Sequence, residues 1–265
     1  MIIKKIDELI VLNNDIYILT NFKDYIIIND NYQGLILLNH TLRTIEKIFI
    51  FEGIHIYHLY QKYNGNSVLV YSPENEEIIF VDINTKKHAV IKTHTDEVFS
   101  PNYYWNDNTL LMITFNGDFY QLCFESYILR QVTAKEAEKI CSSFFNFWNA
   151  SREYHVLKVY SEQQSFIVKN NTESVSFFNY AQQEYVTAKN FSDGWHDVEY
   201  NNNIFLFIHE KKIEIINDQN KIILKPRLGY ILLRARFLSS NQIVVFSSKP
   251  SNSRECLLET YSLEC

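Results

Sequence analysis

Ile78-Ile-Phe-Val-Asp82-Ile-Asn-Thr-Lys-Lys-His-Ala-Val-Ile91 is an apolar stretch, a polar turn and a second apolar stretch. The same phrase recurs along the chain. It reads Leu35-Ile-Leu-Leu-Asn39 through Ile48, Phe119-Tyr-Gln-Leu-Cys123 through Val132, and Val175-Ser-Phe-Phe-Asn179 through Ala188. A shorter copy runs from Ile213-Glu-Ile-Ile-Asn217 to Leu224, and a truncated one, Cys256-Leu-Leu-Glu-Thr260, ends at Cys265. The fifth position of each copy falls at Asn39, Asp82, Cys123, Asn179, Asn217 and Thr260, so successive copies are 43, 41, 56, 38 and 43 residues apart. One supersecondary unit repeated at such a period implies an array of like sheets, because a single unit has too little partner surface to bury its own apolar face.

Units of about 40–45 residues with four short strands resemble the blades of a β-propeller. The expected fold is therefore all-β: a six-bladed β-propeller occupying residues 1–265 as one domain. The last copy lacks its second strand, and the chain opens with an unassigned one, Ile2-Ile-Lys-Lys-Ile6. That N-terminal strand is expected to complete the last blade and remove an open edge. The resemblance stops at period and strand plan. The Gly-His and Trp-Asp dipeptides of WD repeats, the double glycine of Kelch blades and the Ser-x-Asp-x-Gly boxes of sialidase-type propellers are all missing. It therefore carries no functional residue across.

Two further strands per unit complete each blade. First strands are expected at 16–20, 55–60, 98–103, 154–160, 195–200 and 232–237. Second strands, almost wholly apolar, are expected at 25–28, 68–71, 110–115, 165–168, 204–208 and 243–246, as suits strands covered on both faces. Asn64-Gly65-Asn66, Asn106-Asp107-Asn108 and Asn201-Asn202-Asn203 supply tight turns between them, since Asn tolerates left-handed backbone. The one long step of 56 residues holds Thr133-Ala-Lys-Glu136, a capping box. Ala137, Ile140, Cys141, Phe144, Phe145 and Trp148 follow at helical spacing, which predicts one helix over 134–148, within an insertion at about 133–150 between blades three and four. Its aromatic side is expected to lie on the propeller and cover an edge.

Composition narrows the function. Hydrophobic residues make up 46% and aromatics 15% of the chain, enough for a large core of packed sheets. A net charge of −6 with scattered lysines argues against a nucleic-acid binder, which needs a basic stripe. No apolar run approaches the ~20 residues of a membrane span, and charges interrupt the first ten residues too early for a signal-peptide core. No membrane association and a cytoplasmic location are expected. Cys123, Cys141, Cys256 and Cys265 show no metal-ligand spacing and read as free thiols in a reducing compartment.

Chemistry-bearing motifs are sparse. The six glycines are isolated, so neither a phosphate-cradling loop nor a nucleotide fingerprint is present. His55 and His58, three apart on an expected strand, point to opposite faces. Trp195-His196-Asp197 places an imidazole beside a carboxylate, but adjacent strand residues point apart. No metal and no cofactor are expected. A carboxylate-dependent hydrolase acting on glycans or lactones is the alternative, and the first strands offer it chiefly His55, Asp197 and Arg234. A scaffold subunit of a larger complex is a further alternative.

The leading expectation is a non-catalytic protein-binding propeller. Its acidic loops would engage a basic partner through Glu74, Glu76, Glu77, Asp96, Glu97, Asp193 and Asp197, with Trp195 as an aromatic anchor. The most specific form of this expectation is an immunity or inhibitor protein that neutralises a basic toxin, for instance a nuclease.

Overall fold

The structure, a computed structural model, describes residues 2–62, 65–217 and 220–264, with the side chains of Asn252 and Ser253 left aside. Asn64 of the expected Asn64–Asn66 turn, Asp218 and Gln219 of the fifth phrase, and Cys265 lie outside the described residues. The described residues form six four-stranded antiparallel sheets, the all-β fold of a six-bladed β-propeller. They group into two compact units, 1–53 with 187–265, and 54–186.

Strand β1 (Ile2–Leu12) opens the chain, and blade 1 follows as β2 (Leu19–Phe22), β3 (Tyr25–Asp30), β4 (Gly34–Asn39) and β5 (Thr44–Phe49). Blade 2 is β6 (His58–Gln61), β7 (Ser67–Ser72), β8 (Glu77–Asp82) and β9 (His88–Lys92). Blade 3 is β10 (Phe99–Trp105), β11 (Thr109–Thr114), β12 (Phe119–Cys123) and β13 (Ile128–Val132). Helices α1 (Ala134–Ile140) and α2 (Ser142–Ser151) precede blade 4, which is β14 (Val156–Tyr160), β15 (Ser165–Lys169), β16 (Val175–Asn179) and β17 (Glu184–Ala188). Blade 5 is β18 (Asp197–Asn201), β19 (Ile204–His209), β20 (Lys212–Ile216) and β21 (Lys221–Leu224). Strands β22 (Ile231–Ser239), β23 (Gln242–Lys249) and β24 (Asn252–Glu264) begin blade 6. Strand β1 completes it, pairing antiparallel with β24 from Ile2 opposite Glu264 to Leu12 opposite Glu255, with a bulge at Ile6.

Burial follows strand position. The central stretches of the second strands, such as Ile26–Ile28 and Val68–Val70, are fully buried, as strands covered on both faces should be. The last strands alternate exposed and shielded residues, because only one face has a neighbour. Asn106 caps its turn by accepting from the backbone N–H of Asn108 and Thr109 at 2.9 Å. Asn202 and Asn203 both take positive φ (47° and 61°), the pair of left-handed residues that a two-residue hairpin needs.

Three expectations need correction. Strand β2 begins at Leu19, not at residue 16. The buried Asn29 side chain takes the place of strand partners there: its oxygen accepts from Tyr17 and Ile18 N–H, each at 2.9 Å, and its amide donates to the Asp15 carbonyl at 2.7 Å. Strand β6 begins at His58, not at residue 55. Ile54 and Ile56 are buried between exposed neighbours, so the period of two belongs to an extended connection that leads into the strand, where Tyr57 donates to the Tyr71 carbonyl. The single helix is two. The Thr133–Glu136 capping box forms, but Cys141 is extended (φ −156°, ψ 95°) and starts a second helix at Ser142-Ser143, weak helix formers in mid-helix.

His58 stands on β6 against the Tyr57 ring (4.6 Å), and burial pushes its pKa down from 6.5 to about 4. The unfolded chain takes up this proton below pH 6.5, whereas the folded chain refuses it until about pH 4. This contribution to stability is therefore complete above pH 6.5 and is lost as the pH falls towards 4. Between pH 7.5 and 4.5 it amounts to about 2–3 kcal/mol, at 1.36 kcal/mol per pKa unit. Urea unfolding of the wild type and His58→Phe at both pH values checks this. Equal acid losses in the two proteins would place the sensitivity elsewhere.

Candidate interaction site

Within residues 54–186, the β7–β8 connection is one 3-10 turn, Pro73–Asn75, ended by Glu76 in the left-handed conformation (φ 53°). Proline suits the first position because its φ is preset and no N–H is needed there. The Glu76 carbonyl accepts from Thr93 N–H at 2.9 Å, tying this turn to the β9–β10 connection. The Tyr71 hydroxyl fastens the same connection from below, donating to the Glu97 carbonyl and accepting from Phe99 N–H, both at 3.3 Å. Two segments about twenty residues apart in sequence are thereby brought to one edge of this unit.

Five of the expected site residues lie on that edge, in three states. Glu77 is 9% exposed and held by Lys92 at 2.5 Å. Glu97 accepts from the Asn116 amide at 2.8 Å. Glu74, Glu76 and Asp96 are exposed and, among the described residues, enter no hydrogen bond or ion pair through their carboxylates. Lys92 also reaches the Asn75 carbonyl (3.5 Å), so the main cation of the edge is engaged. Tyr57, absent from the expected set, is 45% exposed here with its ring edge-on to Tyr71. Placing residues 55–60 in a strand gave no reason to single it out, since its exposure appears only in the fold.

Asp193, Trp195 and Asp197 belong to the other unit, in or next to the β17–β18 connection. Asp193 is exposed. Trp195 packs edge-on against Phe207 (5.8 Å) and Phe191 (6.4 Å). Asp197 is paired with Arg236 at 2.8 Å and also accepts from Val198 N–H. His196 turns away from it, its Nε2 within 3.0 Å of the Leu233 carbonyl. Arg236 also holds the buried Glu199 at 2.6 Å, so this group is a charge network between the first strands of blades 5 and 6.

Beside the acidic edge, in the unit of residues 54–186, a cavity of about 410 Å³ opens between β10, the β11–β12 turn, α2 and β14. Its wall includes Phe115, Asn116, Trp148, Arg152 and Lys158, and no carboxylate lines it. Both first strands that border it carry register shifts at this level, between Phe99 and Tyr103 and between Val156 and Lys158. Bulges of this kind re-aim side chains and are common next to functional sites. Gly117 closes the turn at φ +94°, a conformation that favours glycine, and an added Cβ would lie 3.7 Å from the Trp148 ring. Trp148 in turn packs edge-on against Phe119 at 4.8 Å, and the Arg152 guanidinium lies over its ring at 5.0 Å. Helix α2 thus lays its aromatic side on blades 3 and 4, as expected, and also builds one wall of a pocket that no sequence motif announced.

Cys123, Cys141 and Cys256 are free thiols. Among the described residues no group of three or more His, Cys, Asp or Glu is placed to hold a metal ion, and no helix is long and apolar enough to cross a membrane.

No protein-family model matches the chain, and no curated protein sequence matches it. Solved propeller-like structures do align with it. The selenomethionine-substituted virginiamycin B lyase from Staphylococcus aureus aligns over 99% of this chain and 100% of its own, at 10% identity and a TM-score of 0.49. KlHsv2 with loop 6CD replaced by a Gly-Ser linker aligns over 88% of this chain and 74% of its own, at 11% identity and a TM-score of 0.44. At these identities and scores neither likeness bears on function.

Proposed function

We propose that this chain is a non-catalytic, protein-binding β-propeller that engages a basic partner through the acidic edge of blade 2. One observation carries the reading: Glu74, Glu76 and Asp96 are exposed without an ion pair among the described residues, beside the exposed Tyr57 ring. Unpaired carboxylates steer a positively charged partner, and an exposed aromatic packed on Tyr71 supplies contact energy and a face for a lysine or arginine. A basic toxin such as a nuclease is one kind of partner this charge fits, and the chain would then act as its inhibitor.

Co-purification from the native source, followed by binding measurements on the purified pair, tests the proposal. Glu74→Lys, Glu76→Lys and Asp96→Lys together should slow association at least about tenfold at ~0.1 M salt, with less effect as salt rises. Reversal of Glu138 and Glu153, exposed carboxylates on α1 and just beyond α2, should change it little. A partner that binds the triple variant as fast as the wild type would sink the proposal.

A further inference from the structure

The cavity beside α2 differs in character from the acidic edge next to it. The chain as a whole carries a net charge of −6. The cavity wall nevertheless holds two cations, Arg152 and Lys158, and no carboxylate. Arg152 is exposed at the rim, enters no ion pair among the described residues, and keeps its guanidinium against the Trp148 ring at 5.0 Å. Stacking on an aromatic face positions a guanidinium while leaving its N–H groups at the plane's edge, free to bind an anion. Phe115 is 63% exposed and lines the same cavity, so an apolar ring stands open there. Asn102 and Asn116 add amides to the wall. The volume lies within the ~300–1,000 Å³ of small-molecule sites, which combine apolar surface with a few placed polar groups.

We propose that this cavity binds a small aromatic anion, an aryl carboxylate or aryl phosphate. Its ring lies against Trp148 and Phe115, and its charged group is held by Arg152 with Lys158 nearby. Trp148 and Arg152 come from α2 and the residue that ends it, Phe115 from the β11–β12 turn and Lys158 from a bulged inner strand, so the site exists only where the helical insertion meets blades 3 and 4. This inference stands independently of the protein-binding reading.

The test is an NMR titration of the full chain, following the Trp148 indole N–H, assigned by its loss in Trp148→Phe, and the Asn116 side-chain amide. The probes are benzoate, phenyl phosphate, neutral benzamide and cationic benzamidine, which share one ring and differ in charge. Both anions should shift these signals saturably at millimolar concentration. Benzamide should bind more weakly, and benzamidine should give no saturable shift. Arg152→Gln, a change at an exposed side chain, should weaken benzoate about five- to tenfold, as loss of a partly solvated charged hydrogen bond would. The proposal is overturned if benzamidine binds as well as benzoate, if neither anion moves the two signals, or if Arg152→Gln leaves benzoate affinity unchanged.

Discussion

Phe147→Ala lowers the free energy of unfolding by about 3–5 kcal/mol, the range for emptying a fully buried phenylalanine site. Phe147 is 0% exposed although it belongs to a helix inserted between blades. Its ring meets Phe166 of β15 at 5.7 Å and Tyr180 at 5.9 Å, in one cluster with Ala137, Phe144 and Phe178. Removing it opens a cavity walled by Phe144, Phe166 and Tyr180, close-packed rings that have little room to collapse. In a chain of this size the loss corresponds to a fall in Tm of roughly 10 °C. Equilibrium urea unfolding and a thermal melt measure both. A cost below about 1 kcal/mol would mean that α2 rests loosely on the blades, and the pocket wall it forms would then lack a rigid base.

Glu214→Gln is the second large effect, a loss of about 3–5 kcal/mol at neutral pH from breaking a buried ion-pair cluster. The Glu214 side chain is fully buried in β20, where Lys212 reaches it at 2.5 Å and Lys221 at 2.9 Å. Ser192 adds a backbone N–H at 2.9 Å and a hydroxyl at 2.6 Å, so the carboxylate also fastens the β17–β18 connection to blade 5. Burial by itself would raise the pKa of this group. The hydrogen bonds from Lys212, Ser192 and Lys221 outweigh it and hold the pKa at about 2. The stabilisation is therefore complete above pH 4.5 and is lost as the pH falls towards 2. Wild type and variant should converge in stability over that window and differ most above it. A gap that stays constant down to pH 2 would show that the substituted amide fails for reasons of shape rather than charge.

Glu214 also shows how far the chain can be read without its fold. In Ile213-Glu-Ile-Ile the glutamate sits on the strand face opposite its flanking isoleucines, and in most sheets that face meets water. Here both faces of the strand are covered, and the lysines that make burial tolerable lie two and seven residues away with a serine from another segment. The site residues divide in the same way. Sequence placed Glu74, Glu76 and Asp96 in loops, where they are exposed. It had no means of assigning Glu77 to Lys92 or Asp197 to Arg236, because each partner lies on a different strand, and for Asp197 on a different blade. Tyr57 escaped notice because a period of two marks any extended segment that buries alternate residues, with or without a ladder.

By itself the sequence determined the six blades, their order, the closing role of β1 and the place of the insertion. These are written locally: strand periodicity, asparagine turns and a capping box act within a few residues, and the phrase Ile78–Ile91 repeats them often enough to be unmistakable. Only the tertiary structure decided which carboxylates remain unpaired, where the helix breaks, and that Phe115, Trp148, Arg152 and Lys158 line one cavity. Ion pairing, burial and a pocket wall depend on distances between segments far apart in the chain, and no local period encodes those distances.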